Sequence, residues 1–206
     1  MISLMKYPNL AHVINTQISV FPEHEEYLVK RFETSAADEL AIAEDLALKT
    51  RQIVGDNLAR VCESYKWLSG AILEEELYFR REGKYRLSSF EEAYNTIYNN
   101  EKYMTRYVEG ILLSQIWWPN HCATIKFFRE NFIANNPPAF SHLEVGPGHG
   151  LFLYYASESP KCGSVTGWDV SVAQAQTVCR QGCGARVGGA HGEVAALTDR
   201  AQHDIA

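Results

Sequence analysis

Residues 144–150, Glu-Val-Gly-Pro-Gly-His-Gly, have the types and the spacing to hold a ligand, and they directly follow an apolar run over residues 140–145. A chain that turns from strand to helix within a few residues needs backbone at positive φ, and amides that approach a ligand need room where a Cβ would stand. Gly146, Gly148 and Gly150 meet both demands. His142, Leu143 and Val145 fall in a short strand bounded by Asn135-Asn136-Pro137-Pro138, and residues 151–156 carry helical apolar spacing. The expected order is strand, glycine turn, helix.

A second strand is expected over residues 164–169. It ends in Asp169, 19 residues beyond Gly150, the separation at which a βαβ unit delivers an acid to a ribose. An ionised carboxylate accepts through two oxygens, so Asp169 suits a pair of ribose hydroxyls. A dinucleotide fingerprint would put the third glycine one residue later, where Leu151 stands, and the missing Gly-Lys-Ser/Thr removes a phosphate-cradling loop. A glycine turn that only joins a strand to a helix is the plain alternative.

The spacing Glu-x-Gly-x-Gly-x-Gly, with Pro147 inside it and Asp169 at the next strand end, resembles the first two motifs of the class I S-adenosylmethionine-dependent methyltransferases. The resemblance implies an α/β fold with a Rossmann-like sheet, S-adenosylmethionine as cofactor, and methyl transfer to a small molecule. It implies cofactor-binding roles for Glu144, Gly146, Pro147, Gly148 and Gly150 around the methionine moiety and for Asp169 on the ribose. It also implies that an added helical domain covers the substrate or forms a dimer interface.

The elements that must position this loop begin with a helical domain expected over residues 1–138, ahead of a partial cofactor domain over 139–206. One helical pattern covers residues 36–50, and a second continues through Ile53, Leu58, Val61, Tyr65, Leu68, Ile72 and Leu73. Ser88 with Glu91 and Ser89 with Glu92 are capping-box pairs that start a helix near Phe90, which Asn99-Asn100 breaks. Tyr103, Tyr107, Ile111 and Leu112 are expected on one face of the next helix. Pro119 then suits the first turn of another, which runs through Ile125, Phe127 and Phe128 toward Phe132. Tyr103, Tyr107, Trp117 and Trp118 are candidates for a substrate wall, with Gln115, Asn120 and His121 as polar groups and His121 as a candidate base. Helix-packing core is the competing reading of the same aromatics.

Composition narrows the partners. A chain of 206 residues, 46% of them hydrophobic, can bury a real core in one large or two small domains. Net charge of −6, with no basic run longer than Lys30-Arg31 or Arg80-Arg81, gives no footprint for nucleic acid. No stretch approaches a membrane span, and residues 1–17 lack a basic-then-apolar signal, so a cytoplasmic protein is expected. The five cysteines are an odd count and read as reduced thiols. Cys179 and Cys183 with His191 match no standard zinc spacing, and no metal is expected.

The end of the chain differs from the rest. From His142 onward there are 65 residues, about two βα units and the start of a third strand. The family that the loop resembles has seven strands. Residues 201–206 are a candidate third strand, with Asp204 as the acid that would meet the adenine amine. All 24 aromatic residues lie at or before Trp168, and residues 179–206 hold five glycines and six alanines, a composition that buries little. The expectation is the N-terminal part of a methyltransferase, cut short or with its tail replaced by a change of reading frame. Its alternatives are a short chain that completes its sheet with a partner, and a noncatalytic helical interaction or dimerisation module with a remnant cofactor half-site.

Overall fold

The protein is described here from a computed structural model, over residues 6–169 and, for the backbone alone, residues 185–186 and 193–196. It is mostly helical, with a small sheet whose first two strands run parallel. Asp204, residues 201–206, Cys179, Cys183 and His191 lie outside the described residues. Two compact units divide the chain, the first taking Met1–Glu92 with Glu109–Thr124 and the second Ala93–Val108 with Ile125–Ala206. The second unit therefore includes residues on both sides of the linker expected at 135–138.

The first unit is built from α1 (Pro8–Val20), α2 (Glu25–Glu33), α3 (Ala37–Val54) and α4 (Leu58–Glu82). No side chain caps α1 locally, and Pro8 stands in its first turn. Glu44 of α3 does that work at long range, its carboxylate accepting from the N–H of Asn9 at 3.1 Å and of Leu10 at 2.7 Å. An acid there satisfies orphan amides and meets the positive end of the helix dipole. The core gathers Leu10, Val13, Leu28, Phe32, Leu46, Val61, Tyr65 and Leu68.

Sequence and structure part at two helices. Ile72 and Leu73, expected to continue the buried stripe of α4, are 40% and 55% exposed. The helix has 25 residues against 13 in α1, which packs on it, so its last turns run beyond that neighbour. The following helix, α5 (Phe90–Ala93), starts where the capping pairs put it: the Glu92 N–H donates to Ser89 Oγ at 3.2 Å. It widens into a π-helical turn, Tyr94–Tyr98, and Asn100 Oδ1 accepts from the Tyr103 N–H at 3.0 Å to open α6 (Glu101–Trp117). The buried face of α6 is Met104, Val108 and Leu112, whereas Tyr107 is 38% exposed. Of the expected Tyr103, Tyr107, Ile111 and Leu112, only Leu112 is on this buried face, because α6 carries apolar residues on two adjacent rows.

Pro119 opens α7 (Pro119–Phe127), which passes into a second π-helical turn, Phe128–Ile133. The sheet of the second unit follows. β1 (Phe140–Val145) leads through the glycine turn into α8 (Leu151–Glu158), and β2 (Cys162–Trp168) returns parallel to β1, with His142 opposite Val165 and Glu144 opposite Gly167. Two short strands, β3 (Ala185–Arg186) and β4 (Glu193–Ala196), extend the order to β1-β2-β4-β3, with β4 antiparallel to β2. Among the described residues no helix is long and apolar enough to cross a membrane.

Side chains alternate across β1. Phe140 and His142 are buried, while Leu143 and Val145 are 51% and 75% exposed. β1 falls where a strand was expected, and its covered face carries Phe140 with the histidine and the acid, while Leu143 and Val145 face outward.

Candidate functional site

Gly146, Gly148 and Gly150 adopt φ of 73°, 53° and 73°. At this sign of φ an L side chain meets its own backbone, so glycine is required by conformation. Close approach is not the reason in the turn itself, since a Cβ on Gly146 would meet nothing within 4 Å. The turn is closed by the Gly150 N–H donating to the Pro147 carbonyl at 2.7 Å, and joined to β2 by the Gly146 N–H donating to the Trp168 carbonyl at 2.6 Å. Gly150 then serves as the left-handed N-cap of α8.

Close approach does decide a neighbouring glycine. A Cβ on Gly167 would lie 2.9 Å from Leu153 Cδ1 and 3.1 Å from Pro147 Cγ. The bare backbone of β2 is what lets Pro147 and α8 pack down on the sheet.

Asp169 follows directly on β2 and is only 4% exposed. Its Oδ2 accepts from the Gly148 N–H at 3.3 Å, so the acid at the second strand end touches the turn from the first. The six residues singled out in the sequence, Glu144, Gly146, Pro147, Gly148, Gly150 and Asp169, therefore converge on one turn of backbone and its two strand ends.

Glu144 is the electrostatically unusual member. Burial pushes its carboxyl above the ordinary value of 4.5, and the nearby Asp169 charge acts the same way. The His142 side chain and the Leu153 N–H work against that rise. Leu153 stands in the first turn of α8, where amides lack intrahelical partners. His142 Nε2 is 3.9 Å from Glu144 Oε2, and both atoms are buried without a hydrogen-bond partner. That separation is within ion-pair reach of a protonated imidazole and too long for a direct hydrogen bond.

His142 has its own enclosure. The Phe128 and Phe132 rings stand edge-on to it, with centroids 5.6 Å and 5.8 Å away. The π-helical turn brings this about, since it stacks the two phenylalanines at 5.3 Å. Such wide turns recur at functional sites. The sequence reading missed His142 and Gly167. The only signal for either was a histidine two residues before Glu144 and a glycine next to Val165-Thr166 near the end of the second strand. His149 of the turn is also buried, its Nδ1 accepting from the Leu151 N–H at 3.1 Å.

The candidate substrate wall divides between the units. Trp117 is fully buried in the first unit, edge-on to Phe32 and Tyr65 at 6.1 Å and 6.5 Å, which is helix packing. Trp118 Nε1 donates to the Tyr65 hydroxyl at 3.0 Å. Of the polar candidates, Gln115 and His121 meet, with Nε2 and Nδ1 3.1 Å apart, and Ser114 Oγ lies 2.9 Å from the same His121 nitrogen. Burial lowers the His121 pKa, which favours the neutral imidazole. Asn120 is exposed in the first turn of α7, and Tyr103 and Tyr107 belong to the second unit. Among the described cysteines, Cys62, Cys122 and Cys162 are buried and in no disulfide. No protein-family model, curated protein or solved structure matches the chain.

Proposed function

We propose that this chain forms the cofactor-binding part of an S-adenosylmethionine-dependent methyltransferase acting on a small molecule, with a Rossmann-like arrangement around β1, α8 and β2. One observation carries the reading: a parallel strand pair joined by a helix, with three positive-φ glycines after the first strand and a buried acid after the second that touches the same turn. A phosphate-binding turn would offer its amides to an anion. Here Glu144 and Asp169 surround the turn with negative charge, which favours a ligand rich in donors, such as a ribose and an ammonium.

Little covalent help is needed for transfer from a sulfonium, because its leaving group is already activated. The protein's part is to align nucleophile, methyl carbon and sulfur and to exclude water. In this reading Asp169 accepts from the ribose hydroxyls and the glycine turn receives the amino-acid end. A second reading, a noncatalytic helical module with a remnant half-site, draws on the outer sheet face, where Leu143, Val145 and Trp168 are exposed.

Calorimetric titration of the whole chain with S-adenosylhomocysteine tests the proposal. Saturable binding is expected, weakened at least about tenfold by Asp169→Ala, the scale of a lost hydrogen bond to a charged group. Asp169→Asn, which retains an acceptor for the Gly148 N–H, separates loss of charge from loss of the turn's support. Absence of binding by the folded native chain would overturn the proposal and favour the second reading.

A further inference from the structure

We propose that His142 is the positioning residue for Glu144, holding its carboxylate ionised beside the glycine turn so that this end of the site accepts a primary ammonium. The inference deepens the reading above, on which the identity of the ligand rests; the pairing itself does not depend on it.

Two buried atoms here lack hydrogen-bond partners. His142 Nε2 and Glu144 Oε2 face each other across 3.9 Å, and the His142 side chain is 8% exposed. A buried polar atom left without a partner costs roughly 1–3 kcal/mol, so two of them aimed at one another form a unit with a shared need. A proton on Nε2 answers it. Across that distance it favours the charged form of the carboxylate.

The other groups that face Glu144 cannot replace it. β2 contributes Gly167 opposite Glu144, which has no side chain. Asp169, next along, is a like charge and opposes ionisation of Glu144. From α8 comes one backbone amide, that of Leu153. The turn contributes His149, whose Nδ1 is taken by the Leu151 N–H. The π-helical turn supplies Phe128 and Phe132 against His142, while its Arg129 guanidinium lies over the Tyr155 ring at 4.9 Å. His142 is the side chain whose nearness to Glu144 favours its charge.

An ionised acid at the end of β1, with a second at Asp169, sets up a site selective for a cationic group. A primary ammonium offers three donors and a full positive charge, which matches an acid whose far oxygen is already held from behind.

Two measurements on the full chain test this. In the ligand-free protein, the Glu144 carboxyl is titrated by carbon NMR in native, His142→Phe and His142→Gln forms. Phe keeps a ring beside the stacked pair of phenylalanines, and Gln keeps an amide donor. The midpoint is expected to move up in His142→Phe, which removes the side chain that favours the charged carboxylate, and to return part of the way in His142→Gln. An unchanged midpoint in both variants overturns the proposal.

In the second measurement, S-adenosylhomocysteine is compared with 5′-methylthioadenosine, which keeps the nucleoside thioether and lacks the ammonium. His142→Phe is expected to weaken only the first, by about tenfold. Equal weakening of both ligands, or of neither, overturns the role in ammonium selection. If the native chain binds neither, the methyltransferase reading fails, and the carboxyl titration still decides whether His142 controls Glu144.

Discussion

In its proposed role Glu144 meets two opposed demands, because a carboxylate that receives a cation must stay charged in a setting that penalises charge. Burial is the largest influence on it and raises its pKa above 4.5. A raised carboxyl pKa means that the folded protein holds the proton more tightly than the unfolded chain does. The group's contribution to stability is therefore complete below about pH 4.5 and falls as pH rises through the folded value. Glu144→Gln removes the penalty. The variant is expected to gain stability over native protein as pH rises from 4 to 8, with the difference levelling off once native Glu144 is ionised. Urea unfolding at several pH values checks the sign, and a difference independent of pH would refute it. The same variant should bind S-adenosylhomocysteine more weakly, the usual tension between a stable site and a working one.

How far the site was legible also divides at this scale. Gly146, Gly148 and Gly150 could be read because positive φ leaves almost no other residue available. Asp169 could be read because strand, helix and strand have narrow length ranges that fix its distance from the turn. His142 could not, since a histidine inside an apolar run reads equally well as filler. Only the register, which sets it on the covered face beside Glu144, gives it meaning.

At the scale of elements, helix existence was visible from periodicity while facing was not. Residues 103, 107 and 111 and residues 104, 108 and 112 fit the same helical period, and only packing selects the second row. The contact between α4 and α6 turns on Gly110, which nothing in the sequence marked. A Cβ there would stand 2.8 Å from Leu68 Cβ and 3.0 Å from the Ser64 carbonyl. The close crossing is reinforced beside it, where Ser64 Oγ donates to Glu109 at 2.7 Å and Arg60 pairs with the same carboxylate. Gly70, on α4 itself, has nothing within 4 Å of its missing Cβ.

The two glycines therefore predict opposite outcomes for one substitution. Gly110→Ala must push α6 away from α4 and is expected to cost about 1–3 kcal/mol, the range for overpacking. Gly70→Ala is expected to gain about 0.5–1 kcal/mol, from helix propensity and a less free unfolded chain. Denaturant unfolding of both variants measures this, and a loss of similar size in each would show that crowding at the crossing is not what distinguishes them.

Across the whole molecule, the division into units was hidden because α6 is one continuous helix whose first half belongs to one unit and whose second half belongs to the other. One shifted group in each unit titrates with opposite consequence for stability. In the first, His24 is stacked between Phe21 and Tyr27 at 5.1 Å and 4.7 Å, with Nδ1 buried and unpartnered and Nε2 3.5 Å from the Tyr65 hydroxyl. Burial pushes its pKa down from 6.5 to about 4, so the folded unit resists a proton that the unfolded chain accepts. Its contribution to stability is present above about pH 6.5 and is lost as pH falls toward 4. Glu144, in the second unit, gains on acidification over the lower part of the same range. Amide exchange at pH 7 and pH 5, corrected for intrinsic rates, should then show protection falling in α2 and α4 while β1 and α8 change less. His24→Phe retains a ring in the stack and removes the titration, so it should flatten the acid response of α2 and α4. If those helices lose protection equally in the native and variant proteins, another group drives the acid limb and His24 does not.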